Sequence, residues 1–345
     1  MSDVAAVIVK LGGDAVASPE RIAEEARRLA RLAAVGPVVA VTSARRGVTD
    51  HLLELVRGVR REIGDSDLVR PSGSAEADRA VATGEVVTAA LLALALNRLG
   101  LESVSLDSRE AGVRAAGTFG AARIRRISTR RITRLLAQGI VPVVTGFQGW
   151  QRGRVATLGR GGTDTSAVAL AVALGAGRAI FVKDTDGLRT ADPKLVPDSR
   201  RLHAVTHGFL SALTAAGARI VHPDAAKLAE LHGLPLEFHA LGAETAATIV
   251  ARGAASAELR AVATLVLGDG AAQVTAVAGL ADEAARETER LRESIVASGV
   301  EIHDIQPAAN GPRFLVPADQ AAAATVALHE AFVPRAPANR SRRAS

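Results

Sequence analysis

Cysteine is absent from this chain of 345 residues. Its absence excludes disulfide bonds, thiolate metal sites and a thiol nucleophile. Long apolar runs are absent as well, since no run approaches the ~20 residues that span a bilayer. The apolar residues 4–9 lack the basic residues and the cleavage site of a secretion signal. We therefore expect a cytoplasmic protein that has no membrane partner and no metal site of its own.

Lysine is scarce, because only four of the 42 basic residues are lysines and the others are arginines. Where almost every surface cation is arginine, a remaining lysine is a candidate for chemistry that needs a compact ammonium group. Lys10, Lys183 and Lys194 lie beside glycine-rich or aspartate-rich turns, where such a group can approach phosphate as a point charge. Lys227 has the surroundings of an ordinary helix residue.

Acidic residues are missing from the segment at residues 335–345, which is rich in proline, alanine, serine and arginine. This composition predicts a disordered, solvated tail, and the segment carries much of the net charge of +6. The arginine-rich run at residues 123–134 has no interleaved aromatic residues of the kind that bind single strands, so we interpret it as a solvated helix face. We accordingly expect no nucleic-acid partner.

What the chain does contain is a regular alternation of apolar and amphipathic segments. Continuous apolar runs predict strands, and the stretches between them have helical spacing. Buried strands separated by helices predict a parallel-rich sheet that is sandwiched by helices, in one α/β domain over residues 1–254. The predicted strands are at residues 4–9, 37–41, 103–106, 140–145 and 179–182, and the predicted helices are at residues 18–34, 49–61, 75–98, 128–137 and 164–174.

The pattern changes near residue 259. Beyond it the order is strand, strand, helix, strand, strand, helix, which predicts a small α+β domain over residues 258–334. The small and polar residues at 254–258 predict the linker between the two domains.

Two segments carry residues suited to phosphate chemistry. Residues 10–13 (Lys-Leu-Gly-Gly) follow the first predicted strand, and their glycines let backbone N–H groups approach a phosphate, although such a turn is also ordinary turn chemistry. The glycine-dense loop at residues 157–165 opens a helix and carries Arg160 and Asp164. Arg160 can bind a carboxylate through two N–H groups. Asp164 can orient Lys10 or a magnesium-bound water, or it can interact with the helix dipole alone.

Two further features have an open interpretation. The aspartate-rich loop at residues 183–194 follows another predicted strand, at the end of an α/β sheet where nucleotides bind, although an ordinary Asp-Gly turn would contain similar residues. Glu85 lies in an otherwise apolar helical stretch, where an unpaired buried carboxylate is costly. Glu85 therefore either pairs with a structural arginine or receives the ammonium group of a substrate.

In order and spacing, these segments resemble the aspartate kinase branch of the amino-acid kinase family. The resemblance covers most of residues 4–250, and it implies that family's fold. It also implies ATP-dependent phosphorylation of the side-chain carboxylate of L-aspartate to 4-phospho-L-aspartate, with Mg²⁺ accompanying ATP. The matching segments are residues 10–16, 43–50, 82–85, 146–149, 157–164, 184–194 and 217–223.

The resemblance also implies roles for individual residues. Lys10 and Asp164 would serve phosphoryl transfer. Glu85 would hold the α-amino group and Arg160 the α-carboxylate of a free amino acid. The other residues of the substrate site would be Ser43, Thr49, Gly161 and Thr163. The nucleotide would be bound by Gly12, Gly13, Lys183, Asp184, Arg189, Lys194 and Arg219.

Several departures from the family pattern cluster in the predicted site. Asp14 stands in place of threonine beside the phosphate turn, and Arg45-Arg46 stands in place of Met-Gly near the substrate loop. At the nucleotide end, Lys183 replaces a serine or threonine, and Arg189 replaces an aromatic residue. These departures leave two alternatives open: a kinase of the same fold that acts on another small carboxylate, and a catalytically silent amino-acid-binding homologue.

The C-terminal domain resembles a ferredoxin-like ACT regulatory module. Only one such unit fits the length, whereas family members usually carry two that pair to form the inhibitor site. We therefore expect a homodimer, with little or no feedback inhibition by lysine or threonine.

Overall fold

The computed structural model describes residues 5–63, 71–253, 259–308 and 310–334. The chain divides into two compact units, residues 1–187 with 221–252 and residues 188–220 with 253–345. The segment at residues 188–220 thus groups with the C-terminal residues, whereas the sequence places it in the first domain. The predicted linker at 254–258 and the predicted tail at 335–345 lie outside the described residues.

The strands and helices are numbered in chain order. The strands are β1 (Val7–Leu11), β2 (Val38–Thr42), β3 (Ser103–Leu106), β4 (Val113–Ala116), β5 (Arg123–Ile127), β6 (Val141–Thr145), β7 (Gln148–Gln151), β8 (Arg154–Thr157), β9 (Arg178–Lys183), β10 (Leu188–Arg189), β11 (Arg201–Leu202), β12 (Ala204–Val205), β13 (Leu236–Ala240), β14 (Thr248–Val250), β15 (Arg260–Val266), β16 (Ala271–Ala278), β17 (Asp304–Ala308) and β18 (Gly311–Pro317). The helices are α1 (Pro19–Ala33), α2 (Val48–Ile63), α3 (Pro71–Val81), α4 (Thr83–Arg98), α5 (Arg130–Ala137), α6 (Gly162–Leu174), α7 (His207–Ala215), α8 (Pro223–His232), α9 (Ala281–Arg286), α10 (Thr288–Ala297) and α11 (Ala321–Phe332).

The first unit is built on a parallel-rich sheet with the strand order β14-β13-β9-β1-β2-β6-β3. Every neighbouring pair is parallel except β13 with β14. Helices α1 and α4 pack on one face, and α6 packs on the other together with α8. The predicted sandwich of helices around a parallel-rich sheet is therefore confirmed, because strands that are apolar on both faces need helices on both faces.

A second sheet in the first unit is not predicted from the sequence. Its strand order is β5-β4-β7-β8, and β5 carries part of the arginine-rich run. The interpretation of that whole run as a helix face was wrong: Arg123, Arg125 and Arg126 lie on the strand, and only residues from Arg130 onward lie on a helix. A short and mostly exposed strand such as β5 lacks the continuous apolar run that marks a buried strand.

The helical stretch Ser74–Arg98 is long and apolar enough to cross a membrane by length and composition. The sequence predicts a helix at residues 75–98 but no segment that spans a membrane. Half of its most apolar window is buried inside the protein. Within this stretch, α4 buries Leu92 and Leu96 in the main core cluster of the first unit.

The second unit contains an antiparallel sheet with the strand order β15-β16-β18-β17. Its core lies between this sheet and helices α9 to α11, around Phe314, Leu328 and Phe332. The predicted order of strands and helices is present, although α9 and α10 divide the first predicted helix. The strand order is that of a ferredoxin-like β-α-β-β-α-β unit, with one difference in the chain order. The place beside the first strand of that unit, which its last strand normally fills, is taken here by β15, and β15 precedes the rest of the unit in the chain.

Candidate active site

A cavity of about 700 Å³ opens in the first unit. It lies where β1, β2 and β6 end and the loops that follow them begin, which is where parallel α/β sheets bind ligands. Both proposed transfer residues and all six proposed substrate residues line it: Lys10, Ser43, Thr49, Glu85, Arg160, Gly161, Thr163 and Asp164. The fold thus brings together residues that are up to 154 positions apart.

The centre of the cavity holds a buried ion pair. Lys10, near the end of β1, places its Nζ 2.8 Å from Oδ1 of Asp164, in the first turn of α6. Burial alone would raise the pKa of Asp164, but the ammonium groups of Lys10 and Lys183 outweigh it and hold that pKa below its ordinary value. The carboxylate is therefore charged at neutral pH, and it fixes the position of the Lys10 ammonium.

Lys183, at the end of β9, is a second cation beside the same carboxylate. Its Nζ lies 3.8 Å from Oδ2 of Asp164, and 18% of its side chain is exposed. Burial and the charge of Lys10 lower the pKa of Lys183 to about 8, against the opposing effect of the carboxylates of Asp164, Asp184 and Asp14. Lys183 is thus largely protonated at neutral pH but close to its titration point.

The glycine loop is held against α8 by close packing. Gly161 has φ of 72°, and a Cβ there would lie 2.2 Å from the ring of His222. The backbone N–H of His222 also donates to Oδ2 of Asp164 at 3.1 Å. Only glycine tolerates both the left-handed conformation and this close contact. Glycine at position 161 therefore allows the loop, Asp164 and α8 to pack together.

The phosphate turn is closed by the loop that follows β2. The backbone N–H of Arg46 donates to the carbonyl of Gly13 at 3.2 Å, and a Cβ on Gly13 would lie 3.0 Å from the carbonyl oxygen of Ala44. The side chain of Arg46 reaches the carboxylate of Asp14 at 2.7 Å. The turn after β1 and the substrate loop are therefore joined through backbone and side chains.

Glu85 is buried on α4, with 2% of its surface exposed. Its Oε1 accepts a hydrogen bond from the backbone N–H of Ala44 at 3.0 Å. Its Oε2 has no hydrogen-bond partner among the described residues. Burial raises the pKa of Glu85 to about 7, because these contacts compensate only in part for the lost water. Of the two alternatives for Glu85, pairing with an arginine does not describe this environment among the described residues. Glu85 instead lines the cavity with one carboxylate oxygen that is buried and has no partner there.

Asp78 and Phe147 are among the cavity residues to which the sequence assigned no role. Asp78 on α3 accepts hydrogen bonds from the backbone N–H of Gly120 at 2.9 Å and of Thr157 at 2.6 Å, and from the Thr157 hydroxyl at 3.1 Å. Phe147 has φ of 65°, an uncommon value for a residue with a Cβ, and it also lines the cavity. An acidic residue on α3, where Glu76 lies two positions before Asp78, is a weak signal, and the φ value of Phe147 has no signal in the sequence.

The predicted nucleotide residues divide between the units. Gly12, Gly13, Lys183 and Asp184 belong to the first unit, near Lys10. Arg189, Lys194 and Arg219 belong to the second unit. There, Arg189 donates to the carbonyl of Ser199, and the backbone N–H of Lys194 donates to Asp192 at 2.9 Å.

Comparison with known proteins identifies the family. The model of the amino acid kinase family matches residues 5–239. The chain belongs to the amino acid kinase family. This confirms the resemblance, and the fold places Lys10, Asp164 and Glu85 of this family member around one cavity.

Relatives of this amino acid kinase include several aspartokinases. One from Thermus thermophilus is 34% identical over 249 residues, which are 72% of this chain and 59% of the relative. One from Rickettsia prowazekii is 37% identical over 227 residues, which are 65% of this chain and 50% of the relative. The chain thus spans between half and three fifths of the length of these relatives.

Solved structures of similar fold include aspartate kinases. Aspartokinase III of E. coli, in complex with aspartate and ADP, has a TM-score of 0.79 at 19% identity, over 94% of this chain and 99% of that chain. The aspartate kinase of Clostridium acetobutylicum has a TM-score of 0.69 at 15% identity, over 95% of this chain and 100% of that chain. At this identity, the likeness concerns the fold.

Proposed function

We propose that this amino acid kinase transfers the γ-phosphoryl group of ATP to the side-chain carboxylate of L-aspartate and produces 4-phospho-L-aspartate. The observation that carries this proposal is a single cavity with the Lys10–Asp164 pair in its wall, and with Glu85 and Arg160 in the same wall. Aspartokinases among the relatives, and the aspartate and ADP bound to aspartokinase III of E. coli, support the same acceptor and the same donor.

The acceptor is held by its α-groups. The free Oε2 of Glu85 receives the α-ammonium, which supplies the partner that the buried carboxylate lacks within the described residues. The exposed guanidinium of Arg160 binds the α-carboxylate through two N–H groups. Ser43, Thr49, Gly161 and Thr163 line the space between them. With both α-groups held, the side-chain carboxylate is the group left free to react.

Phosphoryl transfer then depends on position and charge. Lys10 neutralises the transferring group, and Asp164 holds Lys10 in place. The backbone of Gly12 and Gly13 binds phosphate oxygens beside Lys10. The acceptor carboxylate attacks the γ-phosphorus directly, so the protein forms no covalent intermediate. Mg²⁺ bound to the phosphates of ATP would neutralise part of their charge.

The remaining parts of the proposal concern the nucleotide, the assembly and the location. We assign Asp184, Arg189, Lys194 and Arg219 to nucleotide binding. The second unit is assigned to an ACT-like role in dimerisation, since β17 is an edge strand whose unpaired side can meet a second copy. The protein would act in the cytoplasm, where ATP is available. Light scattering tests the homodimer, and a monomer at micromolar concentration would contradict it.

The test of the function is ATP turnover trapped with hydroxylamine, which converts an acyl phosphate to a hydroxamate. Aspartate, glutamate and N-acetylglutamate are offered in turn. Turnover is expected with aspartate and is expected to be lost in Lys10→Ala and Asp164→Asn, while Lys227→Ala, an exposed lysine on α8, keeps it. Turnover with another acid alone would replace aspartate as the acceptor. Absence of turnover with every acid would indicate a silent amino-acid-binding homologue.

A further inference from the structure

Strand pairing places Lys183 on the same face of the sheet as Lys10. β1 and β9 are parallel neighbours, and Lys10 is opposite Phe181. Paired residues point to the same face and side chains alternate along a strand, so Lys183, two residues beyond Phe181, points to that face as well. This is the face covered by α6, which carries Asp164.

Asp164 lies between the two ammonium groups and meets them through different oxygens. Its Oδ1 is 2.8 Å from Lys10 and its Oδ2 is 3.8 Å from Lys183. The first distance is that of a charge-assisted hydrogen bond, and the second is longer than a hydrogen bond. Asp164 therefore orients Lys183 by charge and leaves its N–H groups free to donate elsewhere.

The charges around Lys183 argue against a purely structural role. One carboxylate already forms a short pair with Lys10, so a second lysine is not needed to neutralise it. The other charged groups that act on Lys183 are Asp184, next in the chain, and Asp14, in the turn after β1. Lys183 is thus a largely buried cation without a short carboxylate partner among these groups, next to the turn that binds phosphate.

We propose that Lys183 is a second catalytic cation, which binds the transferred phosphoryl group together with Lys10. This inference rests on the proposed kinase activity and gives Lys183 a role beyond nucleotide binding. During transfer, the bond from the γ-phosphorus to the ADP oxygen breaks and a bond to the acceptor carboxylate oxygen forms. Negative charge is spread over the three equatorial oxygens of the phosphoryl group, and the two ammonium groups bind different ones. Both lysines keep their protons throughout.

The first experiment separates catalysis from binding by measuring kcat and KM. Lys183→Met is expected to lower kcat by about 100-fold, the scale seen when one donor to a developing charge is removed. The KM for aspartate is expected to stay within about threefold of that of the unchanged protein, because loss of a transition-state contact lowers kcat rather than binding. Lys183→Arg, which keeps the charge, restores part of kcat, and Lys227→Met serves as the control on an exposed lysine.

The opposite pattern would overturn the proposal. If Lys183→Met raises the KM for ATP and leaves kcat unchanged, Lys183 binds the nucleotide and does not touch the reacting group. If both constants stay unchanged, Lys183 is structural. A melting temperature equal to that of the unchanged protein shows that a loss of kcat is not a loss of fold.

A second measurement keeps the proposal testable if the protein phosphorylates none of the three acids offered as acceptors. Calorimetry then compares the binding of ADP with that of AMP-PNP, which carries a γ-phosphate analogue. Lys183→Met is expected to weaken AMP-PNP by about tenfold, the scale of one charge-assisted hydrogen bond, and to leave ADP unchanged. In that case the absence of turnover would refute the proposed kinase activity, while the selective loss of AMP-PNP binding would support the contact between Lys183 and the γ-phosphate. An equal loss for both nucleotides, or no loss, would refute the contact itself.

Discussion

The guanidinium of Arg46 lies 2.7 Å from the carboxylate of Asp14, although the two residues are 32 positions apart in the chain. Each is a departure from the family pattern, and the structure joins the two departures in one ion pair. Asp14 brings negative charge next to the phosphate turn, where it acts on Lys183. Arg46 compensates for that charge from the loop after β2.

The pair predicts a compensating effect on ATP binding. Arg46→Gly leaves Asp14 unpaired near the phosphates and is expected to raise the KM for ATP several-fold. Asp14→Thr with Arg46→Gly is expected to return the KM close to its original value, because the repelling charge has gone as well. Steady-state kinetics of the two single variants and the double variant measure this coupling.

Both partners are partly exposed, at 75% for Arg46 and 35% for Asp14, so the free energy of unfolding should change by less than about 1 kcal/mol in each variant. Additive effects of the two substitutions on KM would show that the two residues act independently, and the idea of compensation would then fail.

The burial of Glu85 predicts that this residue lowers the stability of the protein and strengthens the binding of the substrate. Its pKa is about 7 in the folded protein and 4.5 in the unfolded chain. Below pH 4.5 both states are protonated; between pH 4.5 and 7 the unfolded chain loses its proton first, so stability falls as the pH rises. The full cost, reached above pH 7, is about 3 kcal/mol.

Glu85→Gln removes this titration and keeps an oxygen for the Ala44 N–H. The variant is therefore expected to melt at a higher temperature than the unchanged protein at pH 8, with the gap closing toward pH 4.5. Its KM for aspartate should rise about 10-fold or more, since the α-ammonium loses a charged partner. If the variant and the unchanged protein melt at the same temperature at pH 8, burial does not raise the pKa of Glu85.

Lys183 predicts an alkaline limit to the activity of the free enzyme. Its pKa is lowered to about 8, so the fraction that carries the positive charge falls as the pH rises through 8. We expect kcat/KM for ATP to fall above that pH. Lys183→Arg should move the limit to higher pH, because an arginine stays protonated there. A profile that is the same for both proteins would assign the limit to another group.

Asp78 predicts a structural link to the glycine loop. Its carboxylate accepts three hydrogen bonds from Gly120 and Thr157. Asp78→Asn removes the negative charge that strengthens these bonds, and it replaces one of the two acceptor oxygens by an amide nitrogen that can only donate. The variant should lose about 1–3 kcal/mol of unfolding free energy, measured by urea denaturation. Its KM for aspartate should also rise, because Thr157 begins the loop that carries Arg160.

Glu76→Gln is the matched control for Asp78, on the same helix but exposed and paired with Arg79 and Arg154. This variant should lose less than about 1 kcal/mol of unfolding free energy. Equal losses in the two variants would show that the burial of Asp78 does not set its importance.

Much of the first unit follows from local patterns. Continuous apolar runs for strands such as β1, β2 and β9, and amphipathic stretches for helices such as α1, are properties of neighbouring residues, so their order can be predicted. The sheet formed by β4, β5, β7 and β8 was missed, because its short and partly exposed strands carry no such pattern. The grouping of residues 188–220 with the C-terminal residues was missed as well, since it depends on contacts between distant segments.

The sequence by itself determined which residues are suited to phosphate and carboxylate chemistry, because the residue types and their order around Lys10, Glu85 and Asp164 specify charge and turn geometry. Only the tertiary structure decided which of these residues meet. The pairing of Asp14 with Arg46, the approach of Lys183 to Asp164 and the vacant oxygen of Glu85 depend on strand register and burial. Both are set by long-range packing, which the local sequence does not encode.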